Sequence, residues 1–214
     1  MKFERTEVWG FAHALRGMRN PKESWKKSDS VFRVLPDKND VLLISCEKIG
    51  ENDLKLAQTL IKAGSEHRKF MRQIFVSVDI TAPLYWWKEF DTYKVGTVSN
   101  SCSTMHKLAD TPITRDCFEC GNYILPKTIE FLEGYRKNYN ETKDKVWWKK
   151  LIVNLPESWL QKRTVTMDYE NLLAMCSKGQ RRFHKLTEWS KSFIDWARTL
   201  PYAQELIFID EVVN

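Results

Sequence analysis

The sequence predicts an α+β fold, with helices around a small, mostly antiparallel sheet. Three observations lead there. Phe183, Leu186, Trp189, Phe193 and Trp196 recur at three- and four-residue steps, which predicts a long amphipathic helix over 181–200 closed by Pro201. Ile74, Val76, Val78 and Ile80 alternate with Phe75, Ser77 and Asp79, the period of two that marks a strand over 73–80. Helical and strand-like segments do not alternate regularly, which separates α+β from α/β.

The remaining elements follow in chain order. Residues 19–30 are polar and read as a loop. The apolar run 41–49 predicts a strand. Asn52 or Asp53 can cap a helix carrying Leu54, Ala57, Leu60 and Ile61, stopped at Gly64. After the strand at 73–80, Pro83 opens a helix that Gly96 can end. Residues 125–139 predict a helix, 138–144 a loop and 145–153 a short helix. Thr166 reads as the N-cap of a helix over 166–178, with Gly179 as its C-cap.

Bulk properties bound the class. A chain of 214 residues suits one domain, taken here as 1–214, and is long enough to bury a sizeable core. Hydrophobic residues at 43% and charged residues at 29% exclude wholesale disorder. No apolar run reaches the roughly 18 residues of a membrane span, and the first residues lack the apolar stretch of a signal peptide. The expectation is a soluble, cytoplasmic protein whose five cysteines are reduced thiols. A net charge of +6 favours anionic partners, and equally fits a lysine-rich solvated surface. Nine tryptophans include the adjacent pairs Trp86-Trp87 and Trp147-Trp148. Helical neighbours point about 100° apart, so one of each pair can face the core and the other an interface or ligand, unless all are simply packing residues.

Four constellations could carry chemistry. Gly64-Ser65-Glu66-His67 offers a turn and an imidazole to an anion, or is simply a helix stop followed by a cap. Residues 84–106 set Lys88, Glu89, Asp91 and Lys94 among aromatics, then become dense in Ser, Thr and Asn, hydroxyls and amides that a nucleotide would satisfy, or that equally form an ordinary polar loop. Cys102 and His106, followed by Cys117-x2-Cys120, could hold zinc; free thiols or a redox pair are the alternatives. Arg181, His184 and Glu188 would share one helix face and suit a phosphate or carboxylate, unless they form a solvated ion-pair face.

Taken in order, these pieces resemble the flavin-dependent thymidylate synthases over most of 54–190. Ser65-Glu66-His67 before Phe70 resembles the family's Leu-Glu-His segment. The strand over 73–80 and the following helix lead to Thr92-Tyr93-Lys94 at the family's Arg-His-Arg, with Glu89 at a family glutamine. Asn100-Ser101-Cys102-Ser103 resembles the Asn-x-x-Ser tail with one residue inserted. Leu155-Pro156, Thr164 to Asp168 and Arg181 to Glu188 resemble later family segments, with Asp168 in place of an asparagine.

The resemblance implies FAD, a dUMP-like uracil nucleotide, methylenetetrahydrofolate as carbon donor, NADPH as reductant and a homotetramer. It implies flavin contacts from His67, Tyr93, Lys94 and Asp168, and nucleotide contacts from Lys88, Glu89, Ser101, Ser103 and Arg181. The reaction implied is the reductive methylation of dUMP to dTMP, with no protein nucleophile. Met105 and Ile152 stand where the family has phosphate-holding arginines, so Lys88, Lys149, Lys150 and Arg181 would have to take over. Alternatives that the residues leave open are a relative acting on another pyrimidine nucleotide and a non-catalytic nucleotide- or nucleic-acid-binding protein.

Overall fold

A computed structural model describes residues 1–36 and 42–211. In chain order the elements are β1 (Lys2–Trp9), α1 (Phe11–Arg19), β2 (Val31–Pro36), β3 (Leu42–Lys48), α2 (Glu51–Lys62), β4 (Phe75–Pro83), α3 (Leu84–Phe90), β5 (Val98–Ser101), α4 (Thr104–Lys107), α5 (Pro126–Thr142), α6 (Lys145–Val153), β6 (Leu160–Asp168), α7 (Tyr169–Met175), α8 (Lys178–Phe183), α9 (Ile194–Arg198) and α10 (Ala203–Leu206). The expected α+β class holds, with small antiparallel sheets. One sheet has four strands in the order β1-β4-β6-β5, and β2 and β3 form a separate antiparallel hairpin.

The chain divides into two compact units that are interleaved in sequence. The first comprises Met1–Glu4, Asp79–Thr92 and Ser99–Val165; the second comprises Arg5–Val78, Tyr93–Val98 and Thr166–Asn214.

In the first unit, α5 and α6 pack Leu132 and Leu151 against Leu108, Ala109, Ile113 and Phe118. Removing these side chains from water is the main stabilising term, roughly 1.5–3 kcal/mol per fully buried side chain. Glu133 pins the cluster: it takes the Ile113 amide at 2.8 Å and both Nε and Nη2 of Arg136. The Arg136 guanidinium holds the Glu133 carboxyl below the usual carboxylate range. Trp86, Trp87 and Phe90 form an aromatic nest with ring centroids 4.9–5.4 Å apart.

In the second unit, Phe11, Ala14, Leu15 and Met18 bury one stripe of α1. Gly10, with φ 97°, turns the chain into α1 where a Cβ would lie 2.0 Å from the Gln73 carbonyl oxygen, so only glycine fits. Arg19 and Asp53 form a fully buried ion pair, which Ser28 and Ser30 complete by donating to Asp53 Oδ2. Tyr169, Trp189, Phe193 and Phe208 are core residues here, and Cys176 is wholly buried, its thiol pushed up to about 12 by desolvation.

Several boundaries differ from the sequence reading. The segment 166–178 is not one helix: β6 runs through Thr166 to Asp168, which caps α7, and Gly179 lies inside α8. Thr164 and Thr166 are β-branched and donate to Asp79 and Ser77, which favours the extended form. The long helix over 181–200 is interrupted after α8; a π-helical turn over Glu188–Phe193 precedes α9, so Arg181, His184 and Glu188 do not share one helical face. Residues 138–142 belong to α5 rather than to a loop, and Lys143 ends it in the left-handed region. Gly50, not Asn52 or Asp53, precedes α2. Trp86 and Trp87 are both buried, which is the packing alternative rather than a split between core and interface. Within the expected strand 41–49, Val41 lies outside the described residues, and β3 covers Leu42–Lys48.

Candidate functional site

Of the residues read as flavin contacts, Tyr93, Lys94 and Asp168 meet at one turn of the second unit, and His67 lies in a separate turn of the same unit. After Tyr93 the chain runs through Lys94 and Val95 to Gly96, whose φ is 83°. Asn171 holds this turn by donating from Nδ2 to the Val95 carbonyl at 2.6 Å. Asn171 is itself fixed by a reciprocal cap: Asp168 accepts from its backbone N–H at 2.8 Å, and its Oδ1 accepts from the Asp168 N–H at 3.2 Å. A Cβ at Gly96 would meet Asn171 Oδ1 and Asp168 Oδ2 at 3.0 Å, so the backbone passes close over the α7 cap. Tyr93 packs on Trp189 at 5.5 Å between centroids, and Trp189 stacks with His184 at 4.9 Å.

The second unit carries further charge. Lys94 is exposed and makes no ionic contact among the described residues. His67 is exposed in the turn after Gly64. The adjoining Arg68 and Arg72 converge on Glu170, beside Asp168. Burial raises the Asp168 carboxyl above its ordinary range, partly offset by N–H donors at the head of α7. Asn171, Arg68 and Arg72 were not among the residues singled out from sequence. The signal for Asn171 was the Asp-x-x-Asn spacing that a reciprocal cap requires.

The residues read as nucleotide contacts lie in the first unit, apart from Arg181. Lys88 is exposed and pairs with Glu157 at 2.7 Å, and Glu89 is half-buried. Ser101 ends β5, whose residues are all exposed. Ser103 caps α4, accepting from the His106 N–H at 3.1 Å. Close by, Gln161 donates to the Cys102 carbonyl at 3.0 Å, and Arg163 pairs with Asp91 while lying 4.3 Å over the Trp87 ring. Lys149 is exposed, and Lys150 sits 4.2 Å over Trp147. Arg181 is already occupied in the second unit: it donates to the Cys176 carbonyl and pairs with Asp210 and Glu211.

Among the described residues, no three of Cys102, His106, Cys117 and Cys120 bring ligand atoms within 4.8 Å of one another. Cys117 instead donates to the Pro112 carbonyl, and all five cysteines are free thiols. Among the described residues no helix is long and apolar enough to cross a membrane.

Known structures share this fold. The flavin-dependent thymidylate synthase ThyX from Helicobacter pylori, complexed with FAD and dUMP, superposes with a TM-score of 0.69 over 98% of this chain and 99% of that chain, at 13% identity. A second structure of that protein with FAD and dUMP gives 0.68 over 98% of each chain. The UMP/dUMP methylase PolB from Streptomyces cacaoi, bound with 5-Br dUMP, gives 0.57 over 97% of this chain and 95% of that one, at 13% identity. Neither a protein-family profile nor a curated protein matches the chain. The resemblance read from the sequence thus holds at the level of fold.

Proposed function

We propose that the chain is a flavin-dependent enzyme that reductively methylates a uracil nucleotide, dUMP to dTMP, with methylenetetrahydrofolate as carbon donor and NADPH as reductant. The observation that carries the reading is the Tyr93–Gly96 turn latched to the α7 cap, which presents Lys94, without an ionic partner among the described residues. The likeness in fold to FAD- and dUMP-bound proteins supports it.

The donor set fits a dinucleotide cofactor. Lys94 and His67 supply N–H donors for phosphate, Arg68 and Arg72 add positive potential, and Tyr93 offers an aromatic surface. Bound FAD would supply the redox chemistry of the reaction. The protein's own part is orientation and electrostatics. Lys94 would balance phosphate charge, and the Asn171 latch would hold Lys94 and Tyr93 in place. On the nucleotide side, Ser101 and Ser103 would donate to phosphate or sugar, Lys88 would balance charge, and Glu89 would accept from a base N–H. Arg181 is left out of this assignment because its guanidinium is largely buried and held by Asp210, Glu211 and the Cys176 carbonyl, whereas Lys88 stays exposed beside Glu157. The assembly proposed is a homotetramer in the cytoplasm.

A second reading keeps the flavin and changes the pyrimidine. The likeness to the UMP/dUMP methylase and the presence of Met105 and Ile152 at two arginine positions favour it.

The test is an absorbance titration of the purified chain with FAD, followed by product analysis with dUMP and UMP. The proposal expects about one flavin per chain, binding lost in Lys94→Glu, and methylated product from dUMP. Product from UMP alone selects the second reading. A colourless protein that ignores FAD in the presence of nucleotide overturns both and leaves a binding role.

A further inference from the structure

The second unit contains a cleft of about 280 Å³ away from the Tyr93–Gly96 turn in sequence. Ala12, Arg16 and Arg19 line it at positions i, i+4 and i+7, one stripe of α1. The β2–β3 register pairs Val34 with Ile44 and Phe32 with Cys46, so Phe32, Val34 and Ile44 present one face of the hairpin to the cleft. Trp25 and Ser28 complete the lining.

The lining is mostly apolar, yet Trp25 and Val34 remain 48% and 52% exposed. The indole does not swing freely, because Trp25 Nε1 donates to Asn20 Oδ1 at 2.9 Å. A fixed flat ring beside an apolar strand face suits a planar apolar body. Two cations touch the cleft, and they differ. Arg19 is neutralised by Asp53 and also donates to the Ser24 and Lys27 carbonyls. Arg16 is exposed and contacts only the His13 Nδ1, at 3.3 Å, so it has no carboxylate partner among the described residues. Ser28 is committed to Asp53. One available guanidinium at an apolar cleft calls for one anionic group on the ligand. The volume lies at the small end of the ligand range, so it takes one ring system rather than a whole dinucleotide.

We infer that this cleft binds a small planar aromatic carboxylate, its ring against Trp25 and the Phe32–Val34–Ile44 face and its carboxylate at Arg16. This goes beyond the flavin reading and does not depend on it.

The probes are 2-naphthoate and the neutral 2-naphthamide, titrated calorimetrically into the full chain. The expected result is one naphthoate per chain, with naphthamide about tenfold weaker. Arg16→Gln should weaken naphthoate about tenfold and leave naphthamide unchanged, and Val34→Asp should weaken naphthoate most. Both positions are exposed, so both variants should melt as the wild type does. Absence of naphthoate binding, or binding that neither variant alters, overturns the inference. So does displacement of naphthoate by FAD, which would assign the cleft to the flavin. Naphthoate binding in a chain that ignores FAD would sustain this inference while the proposed function failed.

Discussion

Asn171 donates from Nδ2 to the Val95 carbonyl at 2.6 Å while its Oδ1 accepts from the backbone N–H of Asp168. One amide thus ties the Tyr93–Gly96 turn to the head of a helix. Asn171→Ala should lower stability by only about 1–2 kcal/mol, but weaken FAD more than Glu89→Ala does, because the turn that positions Lys94 is released. Paired thermal melts and FAD titrations check this; unchanged FAD affinity would break the link between latch and cofactor.

Asp168 is a costly cap. Its carboxyl is raised above its ordinary 3.8, chiefly by burial. A raised acid favours the fold while protonated, and that contribution is lost as pH climbs through the raised value. Asn caps as well as Asp without the charge. Asp168→Asn should therefore equal or exceed the wild type in stability at pH 7, with its advantage shrinking as pH falls toward 4. Denaturant melts across that window test the sign, and Asp168→Ala should lose about 1 kcal/mol of capping.

Arg19 and Asp53 are buried together, and the carboxylate also takes two serine hydroxyls. Removing one partner strands the other charge, so Asp53→Ala should cost about 3–5 kcal/mol. Urea denaturation measures it. A loss below 1 kcal/mol would mean that the pair is solvated.

Glu133 gives the opposite pH sign from Asp168. Arg136 lowers its carboxyl below the ordinary 4.5, so its contribution is complete above that value and lost as pH falls through the lowered one. Glu133→Ala should cost about 2 kcal/mol at pH 7, and the gap from the wild type should close below pH 4.

How legible these features were depends on which interactions set them. The strand β4 was readable because Val76, Val78 and Ile80 are all buried on one face. β1 was not, because it is mostly exposed and its alternation is muted. The helix α1 has a clear stripe in Phe11, Ala14, Leu15 and Met18, but the Gly10 turn that starts it depends on the distant Gln73 carbonyl. The end of β6 resembles a helix opening locally; its pairing with Asp79 and Ser77 decides otherwise. In the candidate site, the exposed His67 and Lys94 could be named from residue type. The latch could not, since Asn171 and Val95 are 76 residues apart. Arg181 looked like an anion ligand until Asp210 and Glu211, distant in sequence, claimed it.

Cys176 turns its burial into a clock. With its thiol pushed up to about 12 and no exposed surface, it offers almost no thiolate to an alkylating reagent at neutral pH. Cys102 and Cys120 are exposed and accessible from the first moment. Brief mass-resolved alkylation should therefore separate a fast phase at those two from a slow phase at Cys176. The slow phase times how often the core around Trp189 and Phe193 opens to water.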